Sequence, residues 1–223
     1  MNVHSHKREM SLSSLDSPRR AADAERRRRI LEAAERAFVR YGFHATTMQH
    51  VADEIGMSAG NLYRYFPSKE AIVEGLCAVG QAERAQAFTQ MFAHSGDFFE
   101  AICASLREFV LNRPAEKAQM IVETWAESGR NPRIAAITRD IDAEVLAGLE
   151  KLFDAAKAAG VASPDLHSRL GASFFFTFVA GLFKRLAIEP AFDREKEGDM
   201  AIGVLKALFS GAIPVSRALR EEA

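Results

Sequence analysis

Apolar residues recur with a helical period along the first third of the chain. Ile30, Leu31, Ala34, Phe38 and Tyr41 stand at i, i+1, i+4, i+8 and i+11. They form one stripe along a helix over 21–41, and Gly42 stops it. Two shorter apolar groups follow. Val51, Ala52 and Ile55 predict a helix over 48–55, with Thr46 or Thr47 as its cap and Thr46 and Gln49 spaced as a capping box. Gly56 ends it, Ser58 caps the next helix over 59–66, and Leu62 and Phe66 face inward from it. Pro67 breaks that helix and Ser68 caps a third. Two short helices joined by a tight glycine-containing turn describe a helix-turn-helix.

Helical periodicity continues over 68–93, 97–112, 115–129, 131–160, 164–188 and 197–211. Breakers separate these stretches at Gly96-Asp97, Arg113-Pro114, Asn131-Pro132, Ser163-Pro164 and Glu189-Pro190. No alternating apolar and polar run suggests a strand, so the expected fold is all-α. The organisation reads as a disordered arm over 1–20, a three-helix domain over 21–70 and a larger helical domain over 71–223. The arm is polar and Ser-rich, and its His4, His6, Lys7, Arg8, Arg19 and Arg20 suit phosphate contacts.

Charge sharpens this division slightly. Residues 1–70 carry 12 Lys and Arg against 9 Asp and Glu, and the remainder carries 17 against 21. The first third is mildly basic and the rest mildly acidic. Cys77 and Cys103 have no ligand-like spacing, which points to a reducing compartment rather than a disulfide framework. There is no signal-peptide pattern and no uninterrupted apolar run of membrane-spanning length, so the expectation is a cytoplasmic protein without membrane contact. His44, His50, His94 and His167 make no metal spacing, and no phosphate loop or nucleophile elbow occurs. No catalytic residue, metal or cofactor is expected.

The outward residues of the helix at 59–66 carry the chemistry. With Leu62 and Phe66 inward, Asn61, Tyr63, Arg64 and Tyr65 cannot all be buried. Together with the lysine just beyond, they offer the donors that a phosphate-lined groove accepts. Two further clusters lie in the larger domain. Phe174, Phe175 and Phe176 point in three helical directions, so the helix around them is apolar nearly all round and buried on more than one side. Phe175, Val179, Leu182 and Leu186 form one stripe and Phe174 and Phe178 belong to another; one serves the core and the other a dimer partner, and the first is assigned to the interface although sequence does not decide between them. Met120, Thr124 and Trp125 beside Glu123 could line a pocket shared with Phe174 and Phe178, suited to an aromatic or cationic ligand. A core role for Trp125 accounts for the same composition.

The run RRRILEAAERAFVRYGFHATTMQHVADEIGMSAGNLYRYFPSKEAIVEGL closely resembles the tetracycline-repressor (TetR) family of transcriptional regulators. The resemblance implies that Thr47 caps the first short helix and donates to a DNA phosphate. It also implies that Ser58, Tyr63, Tyr65 and Lys69 contact phosphates, that Gly60 allows close approach, and that Asn61 and Arg64 read bases. The function it implies is a homodimeric repressor that binds a palindromic duplex operator and is released by a small apolar or aromatic effector, a cationic one included. An activator is the alternative within regulation, and a helical enzyme or adaptor the alternative outside it. The stretch from Glu123 through Asn131-Pro132 to Gly160 loosely resembles the choline-responsive branch of the family.

Overall fold

The computed structural model describes residues 6–93 and 98–213, with side chains described over 19–90 and 98–213. The expected breaker at Gly96-Asp97 and the arm's His4, His6, Lys7 and Arg8 lie outside the described residues or side chains. The described residues form helices and no strand. They divide into two compact units, Met1–Leu76 and Cys77–Ala223, where the sequence suggested a division after residue 70.

In the N-terminal unit, α1 runs His6–Tyr41, α2 Met48–Ile55 and α3 Ala59–Tyr65, and α4, Lys69–Ala93, begins. Helical backbone thus starts at His6, inside the stretch expected to be a structureless arm. Once a turn exists, each added residue is gained at little further cost. From Arg19 to Arg29 every side chain of α1 is exposed. The apolar stripe begins at Ile30, and Ile30, Leu31, Ala34 and Phe38 are buried, as are Val51, Ala52, Leu62 and Phe66. Tyr41, the last residue of the predicted stripe, is exposed instead. Ile72 and Val73, in the first turns of α4, are buried too, which is why the division falls after Leu76. Gly75 lets α4 close on this core: a Cβ there would lie 2.8 Å from Leu31 and 3.1 Å from Phe66.

The C-terminal unit contains the rest of α4, then α5 (Phe98–Leu106), a π-helical segment (Arg107–Leu111), α6 (Ala115–Ser128), α7 (Pro132–Ala158), α8 (Ser168–Ile188) and α9 (Arg194–Phe209). Helix starts follow capping chemistry. Asn131 accepts from Arg133 N and Ile134 N ahead of Pro132, and Asp193 accepts from Lys196 N. His167 caps α8 through Nδ1, which accepts from Leu170 N. The core centres on Phe153, whose ring lies 5.3 Å from Phe209 and 6.4 Å from Phe175, with Leu152, Leu205 and Leu208 around it. The π-helical segment interrupts the single helix expected over 97–112. Arg194 of α9 donates to the carbonyls of Leu111 and, at 2.9 Å, Arg113, holding its end.

Gly148 of α7 lies against Phe88 of α4. A Cβ at that position would fall 2.4 Å from Phe88 Cζ. Replacing a helical glycine by alanine ordinarily gains up to about 1 kcal/mol in propensity. Overpacking a filled site costs about 1–3 kcal/mol. Gly148→Ala should therefore destabilise the C-terminal unit, and urea unfolding followed at Trp125 checks the sign.

The structure corrects one expectation about α8. Phe175, Leu182 and Leu186 are buried in their own unit's core, with Val179 packed against it, so this stripe does not await a partner. Phe174 and Ile188 are exposed instead. By length and mean hydropathy alone α8 reaches the range of a membrane span, across interspersed polar residues rather than an uninterrupted apolar run. It packs against α6 and α7.

Candidate nucleic-acid interface

The interface is built on α2 and α3. Thr47 starts α2: its Oγ1 accepts from His50 N at 3.2 Å, and its own N–H donates to His50 Nδ1 at 3.3 Å. The capping box is therefore Thr47 with His50, not Thr46 with Gln49. Thr46 is buried and donates to the carbonyls of Gly42 and Ala37, while Gln49 donates to Asp53. As an acceptor from His50, the Thr47 hydroxyl keeps its hydrogen to donate outward. Gly56, at φ 71°, ends α2 in the left-handed conformation and donates to Ala52 O and Asp53 O.

Ser58 then caps α3, accepting from Asn61 N at 3.3 Å, and it too retains a hydroxyl hydrogen. Leu62 and Phe66 plug α3 into the core. Tyr63 is half exposed, Arg64 is exposed, and Asn61 is partly so. A Cβ on Gly60 would meet nothing within 4 Å. Packing inside the unit gives no reason for a glycine there. Its helix penalty of about 1 kcal/mol fits a surface that something outside must approach closely.

Two predicted contacts already have partners within the protein. Lys69 donates to the carbonyls of Phe43 at 2.8 Å and His44 at 3.0 Å, with its ammonium 4.6 Å from the Phe43 ring centroid. It pins the α1–α2 turn. Tyr65 donates to Asp23 of α1 at 3.4 Å, and Arg64 lies over the Tyr65 ring at 5.2 Å. Tyr65 thus ties α3 to α1, and a phosphate would have to take its hydroxyl from a carboxylate.

Sequence reasoning missed the clasp that orients α2. Glu54, whose side chain is only 13% exposed, receives Arg36 and Arg40 of α1, each at 2.9 Å. The Tyr41 hydroxyl and then Glu54 hold the Arg40 guanidinium above its usual protonation range. Tyr41 also stacks on His50, with ring centroids 4.3 Å apart and planes at 27°. The signal was present in acidic Glu54 opposite two arginines one helical turn apart, but not its pairing.

The other predicted residues lie in the C-terminal unit. Trp125 is half-buried and meets Phe183 edge-on at 6.1 Å, and the Arg113 guanidinium covers that ring at 5.8 Å. Thr124 donates to Met120 O within α6, and Glu123 accepts from Gln119 at 3.4 Å. Phe178 instead lines a surface depression of about 320 Å³ with Thr177, Gly181, Lys184, Arg185 and Met200. Phe174 lies exposed on the same helix. Arg185 is held by Glu189 and Glu197, both of which raise its pKa. Among the described residues no cluster of His, Cys, Asp and Glu could hold a metal ion.

Comparison with known proteins bears on this geometry. Residues 30–76 match the family described as bacterial regulatory proteins, tetR family. The HTH-type transcriptional regulator UidR of Escherichia coli K12 is 27% identical over 192 residues, covering 85% of this chain and 94% of UidR. Among solved structures, Salmonella enterica GusR is 27% identical with a TM-score of 0.64, covering 81% of this chain and 95% of that one. A transcriptional regulator from Saccharomonospora viridis, solved in complex with choline, is 23% identical with a TM-score of 0.66, covering 82% and 96%.

Proposed function

We propose that the chain is a transcriptional regulator of the TetR family, a homodimeric repressor whose α3 enters the major groove of a palindromic operator and which a small molecule releases. The carrying observation is α3 itself. Its apolar residues fill the core, while Gly60, Asn61, Tyr63 and Arg64 present an uncovered polar face. Thr47, Ser58 and Tyr63 act as phosphate donors, and Asn61 and Arg64 read base edges. Tyr65 and Lys69 act mainly by holding α3 and the α1–α2 turn in place. An enzyme or adaptor has no use for this face, and a regulator of this kind works in the cytoplasm beside its DNA.

A two-fold dimer supplies the second half-site that one helix-turn-helix lacks. The uncovered face of α8, with Phe174, Phe178 and Gly181, and Met200 of α9 supports that role. The effector enters the C-terminal unit near Trp125, where Phe183 and Glu123 suit an apolar or aromatic compound, a cationic one included. The signal travels along α4, which is continuous from Lys69 to Ala93 across the division at Leu76. Effector and DNA must then weaken each other by the same factor, ordinarily worth about 1–3 kcal/mol.

Selection of bound sequences from a random duplex pool, followed by salt titration, tests the DNA reading. Tyr63→Phe should weaken binding to every sequence alike, because phosphate contacts carry no sequence information. Arg64→Ala should relax preference at particular base pairs by about 1–3 kcal/mol. Equal loss on all sequences for Arg64→Ala removes it as a base reader. An unenriched pool removes the operator.

A further inference from the structure

We infer that His50 is a positioning residue for DNA binding: its uncharged ring completes the capping box that holds Thr47 at the interface, so acidification unlatches the α2 start. The inference rests on the DNA-binding reading of this unit and adds a regulation that the reading does not contain.

The geometry requires an acceptor. Thr47 N–H points at His50 Nδ1 at 3.3 Å, while Thr47 Oγ1 receives His50 N at 3.2 Å. In most boxes of this kind the third helical position holds Glu or Gln, whose oxygen accepts whenever the side chain is in place. Histidine accepts through Nδ1 only while that nitrogen carries no hydrogen. The imidazolium has hydrogens on both nitrogens, so two donors would face each other across the box. A cation in the first turn of a helix also opposes the helix dipole.

The ring is not free to turn away and recover. Tyr41 stacks on it at 4.3 Å and fixes its plane. The charged and titratable groups around it are Tyr41 and Arg40 from α1, Asp53 and Glu54 one turn along α2, and His44 with Lys69 at the preceding turn. Arg40 lies 5.9 Å from the centroid of the same Tyr41 ring. Glu54 is engaged by Arg36 and Arg40, and Asp53 by Gln49. Lys69 is engaged at the carbonyls of Phe43 and His44.

The consequence reaches DNA through Thr47. With the box closed, its hydroxyl hydrogen is directed outward by the bond it accepts. With the box open, Thr47 N–H is unpaired and the residue can swing. A net hydrogen bond or a cap is worth about two- to tenfold in an equilibrium.

The test compares the full chain with His50→Gln and His50→Ala. Binding to sonicated duplex DNA is measured at constant ionic strength from pH 8 to pH 5.5. Gln keeps an acceptor that does not titrate, so the wild type should lose about two- to tenfold against the Gln variant as pH falls. His50→Ala, which has no acceptor, should bind more weakly than Gln by a margin that stays constant with pH. In parallel, the Thr47 amide resonance of the free protein should move with the His50 ring titration. Parallel profiles for wild type and His50→Gln, with both binding DNA, overturn the inference and leave the DNA reading standing. A wild type that gains on the Gln variant at low pH also overturns it, since His50 would then be a cationic phosphate contact. Absence of duplex binding by all three proteins at every pH overturns the DNA reading, and this inference with it.

Discussion

Phe175→Asp should unfold the C-terminal unit, whereas Phe174→Asp, one residue away, should leave it folded and convert the proposed dimer into monomers. The two positions lie about 100° apart around α8. Phe175 is 4% exposed and its ring faces Phe153, while Phe174 is 43% exposed. A carboxylate placed without a partner in such a core costs several kcal/mol and also forfeits the aromatic burial. That is comparable with the roughly 5–15 kcal/mol by which domains are stable. At Phe174 the carboxylate remains hydrated in the monomer, and its cost falls on any partner face pressed against it. Far-UV circular dichroism separates the first outcome, and sedimentation the second. A Phe174→Asp protein that sediments as the unmodified protein does would remove this face from the dimer. A folded Phe175→Asp protein would overturn the core described here.

Phe153→Ala should cost the C-terminal unit about 3–5 kcal/mol while sparing the N-terminal one. Phe153 is wholly buried and its ring meets Phe175 and Phe209, so three segments lose contacts when it goes. Leu152, Leu205 and Leu208, equally buried, cannot all relax into the space. The N-terminal unit has its own core around Phe38, Ile30 and Leu62. The chain carries a separate reporter for each: its only tryptophan, Trp125, lies in the C-terminal unit, and its three tyrosines, Tyr41, Tyr63 and Tyr65, lie in the other. In a urea titration the tryptophan midpoint should fall well below that of the unmodified protein while the tyrosine signal keeps its own. Coincident shifts of both would show one cooperative body instead.

The helix-turn-helix was legible because every boundary in it has a chemical marker. Gly42, Gly56, Ser58 and Pro67 each force or cap one end, and Leu62 and Phe66 leave only one way for α3 to face. The partner of Thr47 was misread because histidine seldom stands as the acceptor in a capping box, so Gln49 drew the assignment to Thr46. The intramolecular partners of Lys69 were hidden for a different reason. A lysine stem reaches several ångströms in any direction, and sequence does not say which carbonyl it meets. The π-helical segment left no compositional trace, since one extra residue in a turn changes backbone register without changing residue preference. In α8 the inward stripe could have been found. Gly171 and Ala172, four and three residues before Phe175, mark the side where another element comes close, and a Cβ at Gly171 would crowd Leu166 at 3.0 Å and Phe153 at 3.3 Å.

The apolar character of α8 also bears on how the chain is made. A helix with this composition, emerging alone from a ribosome, is a substrate for membrane insertion or for self-association. Its two principal packing partners, α6 and α7, both precede it in the chain and pack against each other. When α8 is synthesised, Phe153 of α7, against which Phe175 packs, has already been made, and among the described helices only α9 is still to come. Moving α8 ahead of α6 by circular permutation would keep every contact of the finished unit. It would also leave this helix exposed until α6 and α7 had been made, so the permuted chain should partition to aggregates or membranes while its folded fraction keeps the same stability.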